Sequence, residues 1–197
     1  MDLSDEDIQL MLRLKNGEEA CFEQLVERHK ARVFNLVYRF LGNYQEADDV
    51  AQEIFIKVYY AKNSYKPTAK FTTWLYAICK NTCLNELRKK KSVCVSIDDT
   101  TRLEEDTVAF QIADPKTPSP ADSVINSEKA LIVKNAIDSL SDLQKMAVIL
   151  YRYDRLSYEE IAQIMQCSVK AVKSLLHRAK EELKNKLKYY VKNKDLE

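Results

Sequence analysis

Glycine and proline are scarce in this chain of 197 residues. It has two glycines, Gly17 and Gly42, and four prolines, of which Pro115, Pro118 and Pro120 fall in one short stretch. Two isolated glycines cannot build a Gly-rich loop around a phosphate, which excludes the common nucleotide-binding motifs. The only histidines are His29 and His177, and no Ser/His/Asp or Cys/His constellation emerges around them. The five cysteines, Cys21, Cys79, Cys83, Cys94 and Cys167, are odd in number and scattered, which argues against a disulfide framework. Cys79 and Cys83 stand one helical turn apart, but no second pair has zinc spacing, so they read as buried reduced thiols. Long apolar runs are missing too, since none approaches the roughly 18 residues that span a bilayer. The opening MDLSDEDIQ is acidic and lacks the apolar centre of a signal peptide. The expectation is a non-enzymatic, cytoplasmic protein with no cofactor, no metal site and no membrane insertion.

What is present suits helices. Hydrophobic residues make up 46% and charged residues 31%, the balance of a globular chain rather than a disordered one. Lys, Glu, Leu and Ala are abundant and alternating strand patterns are scarce, so the expected fold is all-α. Helical periodicity predicts segments at 5–15, 18–41 and 45–61, and another from about 71 into the basic run Arg88-Lys89-Lys90-Lys91. Gly17 and Gly42 sit where a left-handed residue would stop the first two. After an acidic, Pro-punctuated stretch, periodicity resumes at 122–140 and 142–153. This divides the chain into an N-terminal domain at 1–91, a linker at 92–121 and a C-terminal domain at 122–197. The net charge of +1 conceals a segregation of sign. Asp98, Asp99, Glu104, Glu105, Asp106, Asp114, Asp122 and Glu128 face only Arg102 and Lys116, whereas the end of the first domain and the stretch beyond Lys170 are basic. Basic surfaces separated by an acidic strap suggest a polyanionic partner.

The most informative stretch is LSYEEIAQIMQCSVKAVKSLLHRAKEEL, residues 156 to 183. Ser157 and Glu160 have the spacing of a capping box, and Ile161, Ala162, Ile164 and Met165 supply the apolar side of a short helix. Gln166-Cys167-Ser168 breaks the pattern, with Ser168 as a second N-cap. Val172, Leu176, Ala179, Leu183 and Leu187 then form one apolar stripe. Lys170, Lys173, Ser174 and His177 fall on the opposite face, with Arg178 at its edge. This is the outline of a helix-turn-helix whose second helix offers cations and hydrogen-bond donors to a major groove. A solvated basic face would produce the same pattern.

The rest of the chain weighs against that plainer reading. FLGNYQEADDVAQEIFIKVY, KFTTWLYAICKNTCLNELRKKK, DPKTPSPADSV and the stretch above, in this order, resemble the extracytoplasmic-function (group IV) sigma factors, bacterial subunits that direct RNA polymerase to promoters. The resemblance covers nearly the whole chain. It implies core RNA polymerase and promoter DNA as partners, with an anti-sigma factor as a further one. It also implies roles for particular residues. Asp49, Gln52 and Glu53 match the acidic-amide motif that docks on the polymerase's largest subunit, and Ile56 shares their helical face. The helix from Phe71 matches the segment that opens the promoter and reads its −10 element. Asn81 and Asn85 suit base edges, and Arg88, Lys89, Lys90 and Lys91 suit phosphates.

The preceding loop, around Thr68, Ala69 and Lys70, matches a pocket for a flipped-out base, with Tyr65 and Phe71 as stacking surfaces. Trp74 reads either as core or as a stacking platform. In the last helix Lys173, Ser174, His177 and Arg178 match the positions that read the −35 element. Three positions depart from the family pattern: Gln166 is commonly Gly, Ala171 commonly a hydroxyl residue and Leu175 commonly Arg. Two other readings fit the same helices. One is a helix-turn-helix regulator that binds DNA without polymerase, and the other a helical sigma mimic that binds polymerase without directing initiation.

Overall fold

The computed structural model describes residues 5–96 and 120–192. Among them it places eight α-helices and no strand: α1 (Glu6–Lys15), α2 (Ala20–Leu41), α3 (Tyr44–Tyr60), α4 (Phe71–Ser96), α5 (Pro120–Asp138), α6 (Asp142–Arg152), α7 (Tyr158–Met165) and α8 (Val169–Lys192). A 3₁₀ turn at Ala61–Ser64 links α3 to the loop before α4. The fold is all-α. The helix predicted from residue 71 runs on to Ser96, and α5 opens at Pro120, where proline's fixed φ suits a first helical turn. Most of the expected linker, 97–119, lies outside the described residues.

Local chemistry sets the ends of these helices. The Asp5 side chain accepts a hydrogen bond from the Asp7 amide at 3.0 Å and caps α1. Gly42, at φ 84, ends α2 in the left-handed region, its amide donating to the Tyr38 carbonyl at 2.8 Å. Asn43 then caps α3 through the Glu46 amide at 2.9 Å. Ser141 and Gln144 form a reciprocal capping box that starts α6.

Each helix buries one stripe. In α2 it is Cys21, Leu25, His29, Val33, Leu36, Val37 and Phe40, and in α3 Ala47, Val50, Ala51, Ile54 and Val58. Spacings of three and four keep these side chains on one face, so α2 and α3 pack along their length. The helix α4 lies against α2, α3 and α7, while α6 lies against α2 and α8. One continuous core therefore runs from Ile8 in α1 to Val172 in α8 and crosses between the two halves of the chain. At that seam Tyr76 of α4 is almost fully buried, and its hydroxyl donates to Asp154 Oδ1 at 3.2 Å. Burial raises the pKa of both groups, the tyrosine and the carboxyl.

Candidate nucleic-acid and polymerase interfaces

The helix-turn-helix assembles from its caps outward. Ser157 Oγ accepts from the Glu160 amide at 3.2 Å, and Glu160 Oε2 accepts from the Ser157 amide at 3.0 Å. The helix α7 buries Ile161, Ala162, Ile164 and Met165. It ends at Gln166, which takes φ 55 and ψ 46, a left-handed conformation that L side chains adopt at a cost. The Cys167 amide closes the turn on the Ala162 carbonyl at 3.0 Å, and Ser168 Oγ accepts from the Ala171 amide at 3.2 Å to cap α8.

Val172 and Ala179 of α8 are fully buried, with Leu176 and Leu183 half-buried beside them. This pins the helix by one stripe and turns the other outward. Lys170, Lys173, Ser174, His177 and Arg178 are all exposed on it. The Lys173 ammonium stands 5.8 Å from the centre of the Tyr158 ring. Leu175 is half-buried against the core, so a packing contact occupies a position where the resemblance leads one to expect Arg.

The helix α4 presents a second polar face. Asn81, Asn85 and Arg88 are exposed along it, and Arg88 Nη1 donates to Asn85 Oδ1 at 3.5 Å. The basic run that follows is neutralised within the chain. Lys89 pairs with Glu86 at 2.9 Å, Lys90 with Glu46, and Lys91 with Asp142 at 2.9 Å. In the loop before α4, Lys70 pairs with Glu160 at 2.8 Å, so the carboxylate that caps α7 also holds a loop of the other half. Apart from Lys89 and Glu86, which stand about one helical turn apart, these pairings were not legible in the sequence, because Lys70 and Glu160 lie 90 residues apart and Lys91 and Asp142 lie 51 apart. The same holds for Tyr76 and Asp154.

The aromatic surroundings of that loop differ from expectation. Tyr65 and Phe71 are 2% and 1% exposed, so neither offers a face to a base. They form the floor of a cluster, with the Tyr65 and Phe71 rings 4.9 and 5.7 Å from that of Trp74. Trp74 is half-buried, packed on the core with part of its ring open. Burial also pushes the Tyr65 phenol up to about 12. The physical reason is local. The 3₁₀ turn after α3 folds Tyr65 under α4 instead of leaving it in an open loop.

On α3 the face opposite the buried stripe carries Asp49 and Gln52, both exposed, Glu53, whose side chain is 41% exposed, and Ile56 at 55%. Glu53 pairs with Lys57 one turn on at 2.6 Å, and Gln52 donates to Asp48 at 3.0 Å. An isoleucine left in solvent among carboxylates gives this face an apolar centre with an acidic rim, the makings of a protein contact. Among the described residues, no group of three or more His, Cys, Asp or Glu side chains is placed to hold a metal ion. Cys79 and Cys83 are buried, and burial raises the pKa of both thiols. No described helix is long and apolar enough to cross a membrane.

Comparison with known proteins identifies the family of the chain. Residues 25–93 match the family model of sigma-70 region 2, and residues 130–183 match that of sigma-70 region 4. The chain is 34% identical over 177 residues to the ECF RNA polymerase sigma factor SigW of Bacillus subtilis, covering 89% of this chain and 94% of that protein. It is 36% identical over 182 residues to the ECF RNA polymerase sigma-E factor of Escherichia coli K12, covering 90% and 92%. Among solved structures it resembles CnrH in complex with the cytosolic domain of CnrY, with a TM-score of 0.67 at 22% identity over 93% of this chain and 97% of that one. It also resembles the sigma factor RpoE of Bartonella quintana in complex with the anti-sigma factor NepR, with a TM-score of 0.66 at 23% identity over 85% and 96%. At such identities the structural likeness speaks to the fold, while the family models and sequence relatives speak to kinship. The chain thus belongs to the extracytoplasmic-function branch of the sigma-70 family, and is a non-enzymatic transcription initiation factor that binds core RNA polymerase and directs it to specific promoters.

Proposed function

We propose that this work is divided among three faces of the chain. Asp49, Gln52, Glu53 and Ile56 of α3 dock on the polymerase. Asn81, Asn85 and Arg88 of α4, with Lys70, Lys89 and Lys90 at its ends, engage the −10 region. Lys170, Lys173, Ser174, His177 and Arg178 of α8 engage the −35 element. The observation that carries this reading is the orientation of α8, whose apolar stripe is buried against α6 and α7 while all five named residues stand in solvent. A helix held this way can enter a major groove, with cations for phosphates and short polar side chains for base edges.

The domain division at 92–121 and action in the cytoplasm, where core polymerase is, belong to the same proposal. So does control by an anti-sigma factor, a reading supported by the RpoE relative having been solved with one. A run-off transcription assay with core polymerase, with and without this chain, tests the assignment of faces. Specific transcripts are expected only with the chain present, and substitution on any one of the three faces should lower their yield. If all three sets of variants initiate as the wild type does, the assignment is wrong.

A further inference from the structure

A cavity of 370 Å³ opens where the two halves of the chain meet, and none of the faces described above uses it. Its walls come from three helices. Tyr38 and Arg39 are on α2, Val133, Lys134 and Ile137 on α5, and Ile149 on α6. The lining is chiefly apolar, but the rim is positive. Arg39 lies with its guanidinium carbon 4.5 Å from the centre of the Tyr153 ring, and Lys134 reaches toward Gly42 at the end of α2. Among the described residues that line it, the one acid, Asp138, is held by Lys145.

At the packing density of a protein interior, this volume takes a body of roughly a dozen heavy atoms, within the range of small-ligand sites. An apolar body fits the walls, and one negative charge matches a rim whose one described carboxylate, Asp138, is paired with Lys145. A highly charged phosphate ester would find too few donors and would leave the apolar walls wet. We propose that this cavity is a binding site for a small amphipathic anion with an apolar body and a single carboxylate head. Because its walls come from both halves, an occupant binds the packed arrangement best and biases the chain toward it.

The test uses decanoate, below its micelle concentration, titrated calorimetrically into the full chain. Decanol serves as the uncharged counterpart. Saturable one-to-one binding of decanoate is expected, with decanol at least tenfold weaker. Lys134→Glu and Arg39→Glu, changes to half-buried cations on opposite halves, should each weaken decanoate by about tenfold while circular dichroism shows the helices intact. Val133→Trp, which fills the cavity, should abolish binding while circular dichroism shows the helices intact. If that variant does not fold, the two charge reversals decide. No binding to the wild type would overturn the proposal, as it would if another segment occupied the cavity. So would equal affinity for decanol, or binding that neither charge reversal alters.

Discussion

At Gln166 the chain holds a left-handed backbone, φ 55 and ψ 46, with a residue that has a Cβ. That conformation costs an L residue roughly 1–2 kcal/mol, and glycine avoids the cost while losing more entropy on folding. Gln166→Gly should therefore stabilise the protein by about 0.5–1 kcal/mol, read as a higher urea midpoint; an unchanged or lower midpoint would show that the Gln side chain contributes a compensating contact. A second residue carries a pH dependence. His29 is buried, with Nε2 2.8 Å from Asp7 Oδ2, and burial lowers its pKa from the ordinary 6.5 despite the carboxylate. As the pH falls below 6.5, the unfolded chain gains a proton that the fold resists, so stability declines toward the lowered folded value. Unfolding in urea at pH 7.5 and 5.5 should show a larger loss for the wild type than for His29→Gln, and an equal loss would remove His29 from the account.

These two residues also show what could be read without coordinates. Gln166 stood out because the family pattern commonly has glycine at that position of the turn. His29 did not, because its partner lies 22 residues away and only the packing of α1 on α2 brings them together. Leu175 falls between these cases. On a helical wheel it lies about 60° from the centre of the apolar stripe, which permits packing, and the structure places it half-buried against the core.

Single helices show the same contrast between local and distant information. The buried stripe of α3 was legible residue by residue, since it depends only on a period of 3.6. The exposed stripe was therefore legible too, but its purpose was not, because an acidic face is equally at home in plain solvent. A charge reversal separates the two. Asp49→Lys with Glu53→Lys should leave the helix content unchanged and sharply reduce assembly with core polymerase in a pull-down. Normal assembly of the double variant would place the docking surface elsewhere. The helix α4 taught the opposite lesson. Its polar stripe was expected to be available along its length, yet Lys89, Lys90 and Lys91 each meet a carboxylate in the folded chain. Two of those acids, Glu46 and Asp142, come from other helices. Charge runs announce themselves in a sequence, but their partners do not.

At the scale of the whole molecule, the halves are packed together. The helices α4 and α7 lie in contact, and Lys70–Glu160, Lys91–Asp142 and Tyr76–Asp154 bridge the two halves around a shared apolar core. The two ion pairs are 68% exposed at their lysines, so they contribute little beside the apolar contact. Packed helices stand about 8–10 Å apart. The −10 and −35 elements lie about 25 base pairs apart, or roughly 85 Å along the duplex at 3.4 Å per pair. On the proposed assignment of faces, one chain cannot hold both elements while α4 and α7 touch, so the seam is expected to open when polymerase and promoter are bound. Dyes placed on α3 and α8 should show efficient energy transfer in the free chain and a large fall on assembly with core polymerase and promoter. Unchanged transfer would mean that the halves work as one block.

The central claim is that α8 reads promoter sequence on behalf of the polymerase, and selection from a randomised −35 library by the assembled holoenzyme, at two salt concentrations, tests it most directly. Loss of a base-reading side chain should alter preference at one or two positions, costing roughly 1–3 kcal/mol against the preferred base. Loss of a phosphate contact should weaken binding to all sequences alike and lower the salt slope by about one. Ser174→Ala and His177→Ala are expected to change the selected sequence, whereas Arg178→Ala and Lys173→Ala should leave it intact and reduce affinity in a salt-dependent way. If all four variants select the wild-type sequence with wild-type affinity at both salts, the exposed face of α8 is merely solvated and the claim fails.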